Sequence, residues 1–236
     1  MYFCLNNFIR PDVVNIFTDA SITQLVNGNT AGCYGAIVTN NGRIIDKEYK
    51  VCTDSTSNNS EIKAIRLGVN LAIKWKNSVN FPIVINLFSD SQISVLGVRD
   101  RIFNWNIRKN NLVGCGNTPI KNQSVFIEII NLIVKTNLII NFYHQKAHVR
   151  INNYEELNNA IHVFTSSNYV REEIDPEFIK YISTMNNMVD KVSRRTLTRY
   201  RNLSEHNIQD ALIFSPFNHI DKLKQFNELQ GSKYLL

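Results

Sequence analysis

The sequence predicts an α/β fold, a mixed five-stranded sheet with helices on both faces. Three observations point to it. Apolar, β-branched runs at residues 13–18, 33–39 and 43–51 follow one another with turn-forming residues between them. An amphipathic helical stretch then leads to a fourth apolar run, 83–88. Further helical stretches separate that run from a fifth, 138–143. Strands separated by helices need parallel crossovers, whereas the first three read as an antiparallel meander.

Each element has its own signal. Residues 13–18 (VVNIFT) end at Asp19, and residues 20–32 read as a polar loop with Asn27, Gly28 and Asn29 as turn formers. CYGAIVT (33–39) is the second strand, Asn40-Asn41-Gly42 the hairpin turn, and 43–51 the third strand. Residues 57–60 suit a helix cap. Glu61 then opens a helix in which Ile62, Ile65, Val69 and Ala72 recur at helical spacing up to Trp75. Pro82 precedes the fourth strand, which ends at Ser89-Asp90 and leads into a helix over 91–98. Residues 99–121 are basic, aromatic and turn-rich. A helix is expected over 123–135, irregular or partly helical chain over 149–176, and a helix over 178–200. The expected organisation is a lead (1–12), one domain (13–200) with an insertion at about 149–177, and a polar tail or appendage (201–236).

Bulk properties narrow the class. The 236 residues are 44% hydrophobic and 19% charged, ordinary for a soluble globular protein. No apolar run approaches the roughly 20 residues that span a bilayer. Residues 1–10 lack the basic head and apolar core of a secretory leader. Cys4, Cys33, Cys52 and Cys115 are scattered, which fits reduced thiols in a cytosol-like compartment better than a zinc site or a disulfide scaffold. A net charge of +6 weakly favours a polyanionic partner.

The candidate chemistry lies in acids far apart in sequence. Asp19 follows the first strand and Asp90 the fourth, and ligands of α/β sheets bind outside the carboxyl ends of strands. Parallel, neighbouring first and fourth strands would set these carboxylates side by side. Glu61 at its helix start can face the same edge, and Asp190 in the last helix could close the site. Singly, such acids are most often turn, cap or dipole-complementing residues. Gathered at one point they repel unless cations neutralise them. Oxygen-only ligands suit magnesium or manganese, and paired ions of this kind hydrolyse phosphodiesters.

The local contexts resemble one family. They are Phe17-Thr18-Asp19-Ala20-Ser21 with Gly32-Cys33-Tyr34-Gly35, then Ser57-Asn58-Asn59-Ser60-Glu61 with Ala64 and Ile65, then Ser89-Asp90-Ser91-Gln92. Lys146-Ala147-His148 follows, and Asn186 precedes Asp190, with Ser193 and Arg194 after it. In this order they resemble the type 1 ribonucleases H. Phe103-Asn104-Trp105 through Arg108-Lys109, with Thr118-Pro119-Ile120-Lys121-Asn122, resembles the basic protrusion of the bacterial-type members. The resemblance spans about residues 13–195.

It implies a strand order 3-2-1-4-5 and RNA-strand cleavage in RNA–DNA hybrids, leaving 5′-phosphate and 3′-hydroxyl ends. It also implies a monomer using two Mg2+ ions, with Mn2+ able to substitute. Asp19, Glu61, Asp90 and Asp190 match the metal-binding acids, and His148 the histidine assisting proton transfer or product release. Asn58, with Asn59 beside it, and Gln92 match residues that contact the RNA strand. Trp105, Arg108, Lys109 and Lys121, with Arg101, match the DNA-strand grip, a salt-sensitive contact, although Trp105 reads equally as a core residue beneath the protrusion and the cations as a solvated face. The chain departs from the pattern at Ala20, where a glycine is usual, in an Asn–Glu spacing one residue short, and in a long segment between His148 and Asp190. Asp175 is a competitor for the fourth acid. Two alternatives remain: a hybrid-binding module without catalysis, and another nuclease of the same superfold. Ser21 stands where proofreading exonucleases carry a second acid.

Overall fold

Asn41 and Gly42 both take positive φ (50° and 73°), the conformation a two-residue hairpin needs. They join β2 (Thr30–Asn40) to β3 (Arg43–Thr53), and β1 (Val13–Gln24) lies antiparallel on the other side of β2. The structure, a computed structural model, describes residues 8–25, 28–53, 55–81, 83–108 and 111–206. The chain continues through α1 (Ser57–Ser78), β4 (Val84–Ser89) and α2 (Gln92–Arg99). A small hairpin, β5 (Asn106–Arg108) and β6 (Asn111–Val113), precedes α3 (Gln123–Thr136) and β7 (Ile140–His144). Two helices close the fold, α4 (Tyr154–Asn168) and α5 (Pro176–His206).

The main sheet runs β3-β2-β1-β4-β7, with β1, β4 and β7 parallel. This is the expected five-stranded order, β7 being its fifth strand. α1, α2 and α3 cover one face, where Ile16 and Leu87 meet Ile62, Ile65, Val95 and Phe126. α4 and α5 cover the other, on an aromatic core in which Phe17 and Phe88 stack at 5.1 Å beneath Phe178. Within the sheet runs a row of buried amides at matched positions. Asn141 donates to Asn86 Oδ1, and Asn86 to Asn15 Oδ1, each at 3.0 Å.

Several boundaries differ from expectation. β1 does not end at Asp19. It runs on to Gln24 against β2, so most of the supposed loop 20–32 is a hairpin arm. The polar alternation there reflects a strand with β2 as its only partner, because the β1–β4 ladder stops at Thr18↔Ser89. Helix α1 begins at Ser57, not Glu61, because Thr56 caps it by accepting from Asn59 N at 3.2 Å. Gly32 lets this first turn approach β2, since a Cβ there would stand 2.4 Å from Ser60 Oγ.

The segment 149–176 contains α4, capped by Asn153, and Leu157, Ala160 and Phe164 bury its inner face. Its Asn168 bonds both N–H and C=O of His144 (2.7 and 2.8 Å), taking the place of a further strand at the edge of β7. α5 passes the expected end at 200 and reaches His206, while the rest of the expected tail lies outside the described residues. Among the described residues no helix is long and apolar enough to cross a membrane.

Candidate active site

The last rung of the β1–β4 ladder is Thr18↔Ser89, so Asp19 and Asp90 emerge together just beyond it. Asp19 lies inside β1 but at the carboxyl end of the parallel part of the sheet. Glu61, in the second turn of α1, arrives from the opposite face. One carboxylate oxygen from each of Asp19, Glu61 and Asp90 can be chosen so that all three lie within 4.8 Å of one another. Among the described residues this is the one group of acids, histidines and cysteines so arranged.

Asp19 is only 3% exposed. Its Oδ1 accepts from Ala20 N at 2.7 Å, while its Oδ2 is buried without a hydrogen-bond partner, as is Glu61 Oε2. Burial, reinforced by the negative Asp90 and Asp190, pushes the Asp19 carboxyl up to about 8. Burial and then Asp19, Asp90 and Asp190 hold Glu61 well above the usual carboxylate range. Asp90 is raised by burial and Asp190, against the pull of His148 and a hydrogen bond from the Asn186 side chain. Buried, unsatisfied carboxylate oxygens carry a large desolvation penalty, which a cation would relieve. The residues present therefore fit divalent-metal binding by oxygen ligands.

α5 brings in the rest. Val189 and Ser193 are fully buried against the sheet, which aims Asp190 at the cleft. Arg194, one turn on, donates from Nε to Asp190 Oδ1 at 2.6 Å. His148 closes a triangle, with Nε2 at 3.1 Å from Arg194 Nη2 and Nδ1 at 3.7 Å from Asp190 Oδ2. Asp175, the competing acid, instead caps α5, accepting from Glu177 N at 2.8 Å. His144 lies outside this group, bonded through its backbone to Asn168.

The nucleic-acid contacts named from the sequence are placed unevenly. Asn58 and Gln92 are exposed at the first turns of α1 and α2, at the helix ends beside the acids. Asn59 is tied inward, donating to Asn122 Oδ1 at 3.0 Å. Arg101, Arg108 and Lys121 are exposed, and Lys109 lies outside the described residues. Trp105, read either as a substrate contact or as a core residue, is half-buried and packs edge-on against Phe126 at 5.0 Å. Asn186 and Arg194 were visible in the sequence only as motif context. Their four-residue spacing about Asp190 was the signal that could have assigned them to the site.

A buried acidic cluster at the open end of a mixed sheet fits a divalent-metal-dependent hydrolase. The RNase H family model matches residues 11–159. The chain belongs to the ribonuclease H family. It is 32% identical over 141 residues to Ribonuclease HI of Haemophilus influenzae, covering 58% of this chain and 80% of that one. A Ribonuclease H of Thermoanaerobacter is 28% identical over 149 residues, covering 62% and 84%. The fold is also similar to that of a foamy viral protease-reverse transcriptase solved with an RNA/DNA hybrid. The TM-score there is 0.50 at 17% identity, covering 72% of this chain and 21% of the viral one, a likeness of fold alone. The family match stops before α5, so Asp190 and Arg194 are placed by the structure and not by that match.

Proposed function

We propose that this protein is an endoribonuclease that cuts the RNA strand of RNA–DNA hybrids, leaving 5′-phosphate and 3′-hydroxyl ends. The observation that carries this reading is the convergence of Asp19, Glu61 and Asp90 on one point within a ribonuclease H fold. These three, with Asp190, would hold two Mg2+ ions, for which Mn2+ substitutes. Bound there, the ions supply Lewis acidity and an activated water for in-line phosphodiester hydrolysis.

The chain's own residues do the rest. Asp19 and Asp90, fixed by adjacent strands, set where the scissile phosphate sits. Glu61 reaches that point across the end of the sheet. His148, on an exposed loop beside Asp190 and bonded to Arg194, is placed to assist proton transfer or product release. Asn58 and Gln92 flank the acids from two helix starts, where they can meet minor-groove atoms and the 2′-hydroxyls that distinguish RNA from DNA. Arg101, Arg108 and Lys121 are exposed on a protrusion suited to DNA-strand phosphates. Cys33, Cys52 and Cys115 are free, which supports a reducing, cytosol-like compartment.

The test is cleavage of four duplexes with Mg2+: hybrid, double-stranded RNA, double-stranded DNA, and DNA with one ribonucleotide. Cutting of the hybrid's RNA strand is expected. Binding of the hybrid with no cutting in either metal would overturn the reading in favour of a binding module.

A further inference from the structure

Gln145, the first residue past β7, is a buried amide only 3% exposed. Its backbone N–H donates to the Ser89 carbonyl at 2.9 Å, so it stands level with Asp90 at the end of the sheet. Its side chain turns to α5, where Nε2 donates to Ser183 Oγ at 3.2 Å, a bond buried on both sides. Its Oε1 is buried without a hydrogen-bond partner among the described residues. A buried amide with an unpaired oxygen is a poor filler of space. An apolar side chain of the same length occupies that volume without the penalty. Stability of the fold therefore does not call for this glutamine.

What the amide does is tie a loop to a helix. The loop that leaves β7 is fastened along α5. Gln145 meets Ser183, the Val149 carbonyl accepts from Asn187 Nδ2 at 3.5 Å, and His148 sits against Asp190 and Arg194. Ser183, Asn187, Asp190 and Arg194 follow one another at helical spacing and so share one stripe of α5. The Asn187 and Arg194 ties are exposed, whereas Gln145–Ser183 is buried at the root of the loop. Exposed hydrogen bonds compete with water, and a buried one is the stronger anchor. His148 needs an anchor. Its φ is 50°, a left-handed backbone that a bulky side chain disfavours. It lies three residues from Gln145, so movement at the root carries the imidazole with it.

We propose that Gln145, through its bond to Ser183, is a positioning residue that holds the His148 imidazole beside Asp190 and Arg194. This rests on the cleavage function and the His148 role proposed above. Asp19, Glu61 and Asp90 are carried by β1, α1 and the end of β4, and none of them bonds to the Gln145 side chain. Metal binding by these acids is therefore independent of it.

The experiment uses the full chain, Mg2+ and an RNA–DNA hybrid. Gln145→Met keeps the length of the side chain and removes the bond, and Ser183→Ala removes it from the other side. Each should lower kcat about tenfold, as a displaced proton-transfer group would, with KM unchanged. The Mg2+ concentration for half-maximal activity should also stay the same. Both changes together should lower kcat no further than one alone, because they delete one bond. In a His148→Ala background neither should lower kcat by more than about twofold. Melting temperatures should stay within about 4 °C of wild type, which separates positioning from loss of structure. A kcat near wild type in both variants overturns the proposal, as does an equal loss with and without His148. A shifted Mg2+ dependence, or His148→Ala as active as wild type, overturns it too. Should Gln145→Met fold poorly by circular dichroism, Ser183→Ala decides. Wild-type protein that cuts no hybrid would instead sink the cleavage function, whereas normal cutting matched by both variants sinks only the positioning role.

Discussion

Thr18 faces Ser89 on the final rung of the parallel β1–β4 ladder, and the next residue on each strand is a cluster acid. The spacing of Asp19 and Asp90 is thus set by strand pairing, not by a mobile loop. Asp19→Asn or Asp90→Asn should abolish cutting while leaving the circular dichroism spectrum unchanged. Several kcal/mol of transition-state stabilisation would be lost, about a thousandfold in rate. Activity near wild type in either variant would contradict the assigned site.

Metal binding should be linked to pH. The folded Asp19 carboxyl titrates at about 8, above its ordinary 3.8. Its stability contribution is then full below the lower value and is lost as pH rises through the upper one. In EDTA the melting temperature should fall between about pH 5 and 8, by several degrees, since each kcal/mol moves it by about 2–4 °C. Saturating Mg2+ should remove most of that slope, because bound metal favours the ionised carboxylates. Asp19→Asn should flatten the curve in EDTA. Melting curves at four pH values, with and without metal, check this.

Gly32 gives a steric test of how Glu61 is delivered. A Cβ at this position would stand 2.4 Å from Ser60 Oγ, pushing the first turns of α1 away from β2. Gly32→Ala should cost about 1–3 kcal/mol in urea denaturation and lower activity along with it. Adding Ser60→Ala should restore part of both. No recovery in the double variant would show that the contact is not the cause.

Trp105 and the surface cations should separate in their effects. Trp105→Ala should destabilise the protein by about 2–4 kcal/mol, less than a fully buried tryptophan, because it packs on Phe126 while half-buried. Arg108→Ala and Lys121→Ala should leave stability within about 0.5 kcal/mol. Each should lower the salt slope of hybrid binding by about 0.9. Denaturation curves and binding titrations at several salt concentrations tell the two classes apart.

The sheet was legible because its strands carry their own signals. β-branched runs, Asn-Gly at the hairpin and helical periodicity in α1 are local features, and the crossovers they require gave a mixed sheet, whereas its order came from the family resemblance. Asp19, Glu61 and Asp90 were legible because the local signals change at each of them, although β1 runs on past Asp19 and α1 starts a turn before Glu61. The length of β1 was not. Beyond Asp19 the alternation in ASITQ is short and carried by small or polar residues, with Ile22 exposed, so it lacks the apolar run that marked the core strands. Nor was α4 readable with assurance, because only a narrow stripe of Leu157, Ala160 and Phe164 is buried in an Asn-rich segment. Trp105 exposes the limit of type-based reasoning. An aromatic among cations suits nucleic acid and a hydrophobic base equally well, and the half-buried ring on Phe126 serves the second without using its exposed face.

The asparagine row across β1, β4 and β7 bears on catalysis from a distance. Asn15 and Asn86 pair four residues before Asp19 and Asp90, in the same register. An apolar pair there would tolerate sliding, whereas these amides are satisfied in one alignment only. A slip by one residue would turn a cluster acid to the other face of the sheet. The row therefore works as a gauge built into the middle of the protein, ensuring that two carboxylates finish level at the end of their strands before any metal or nucleic acid arrives.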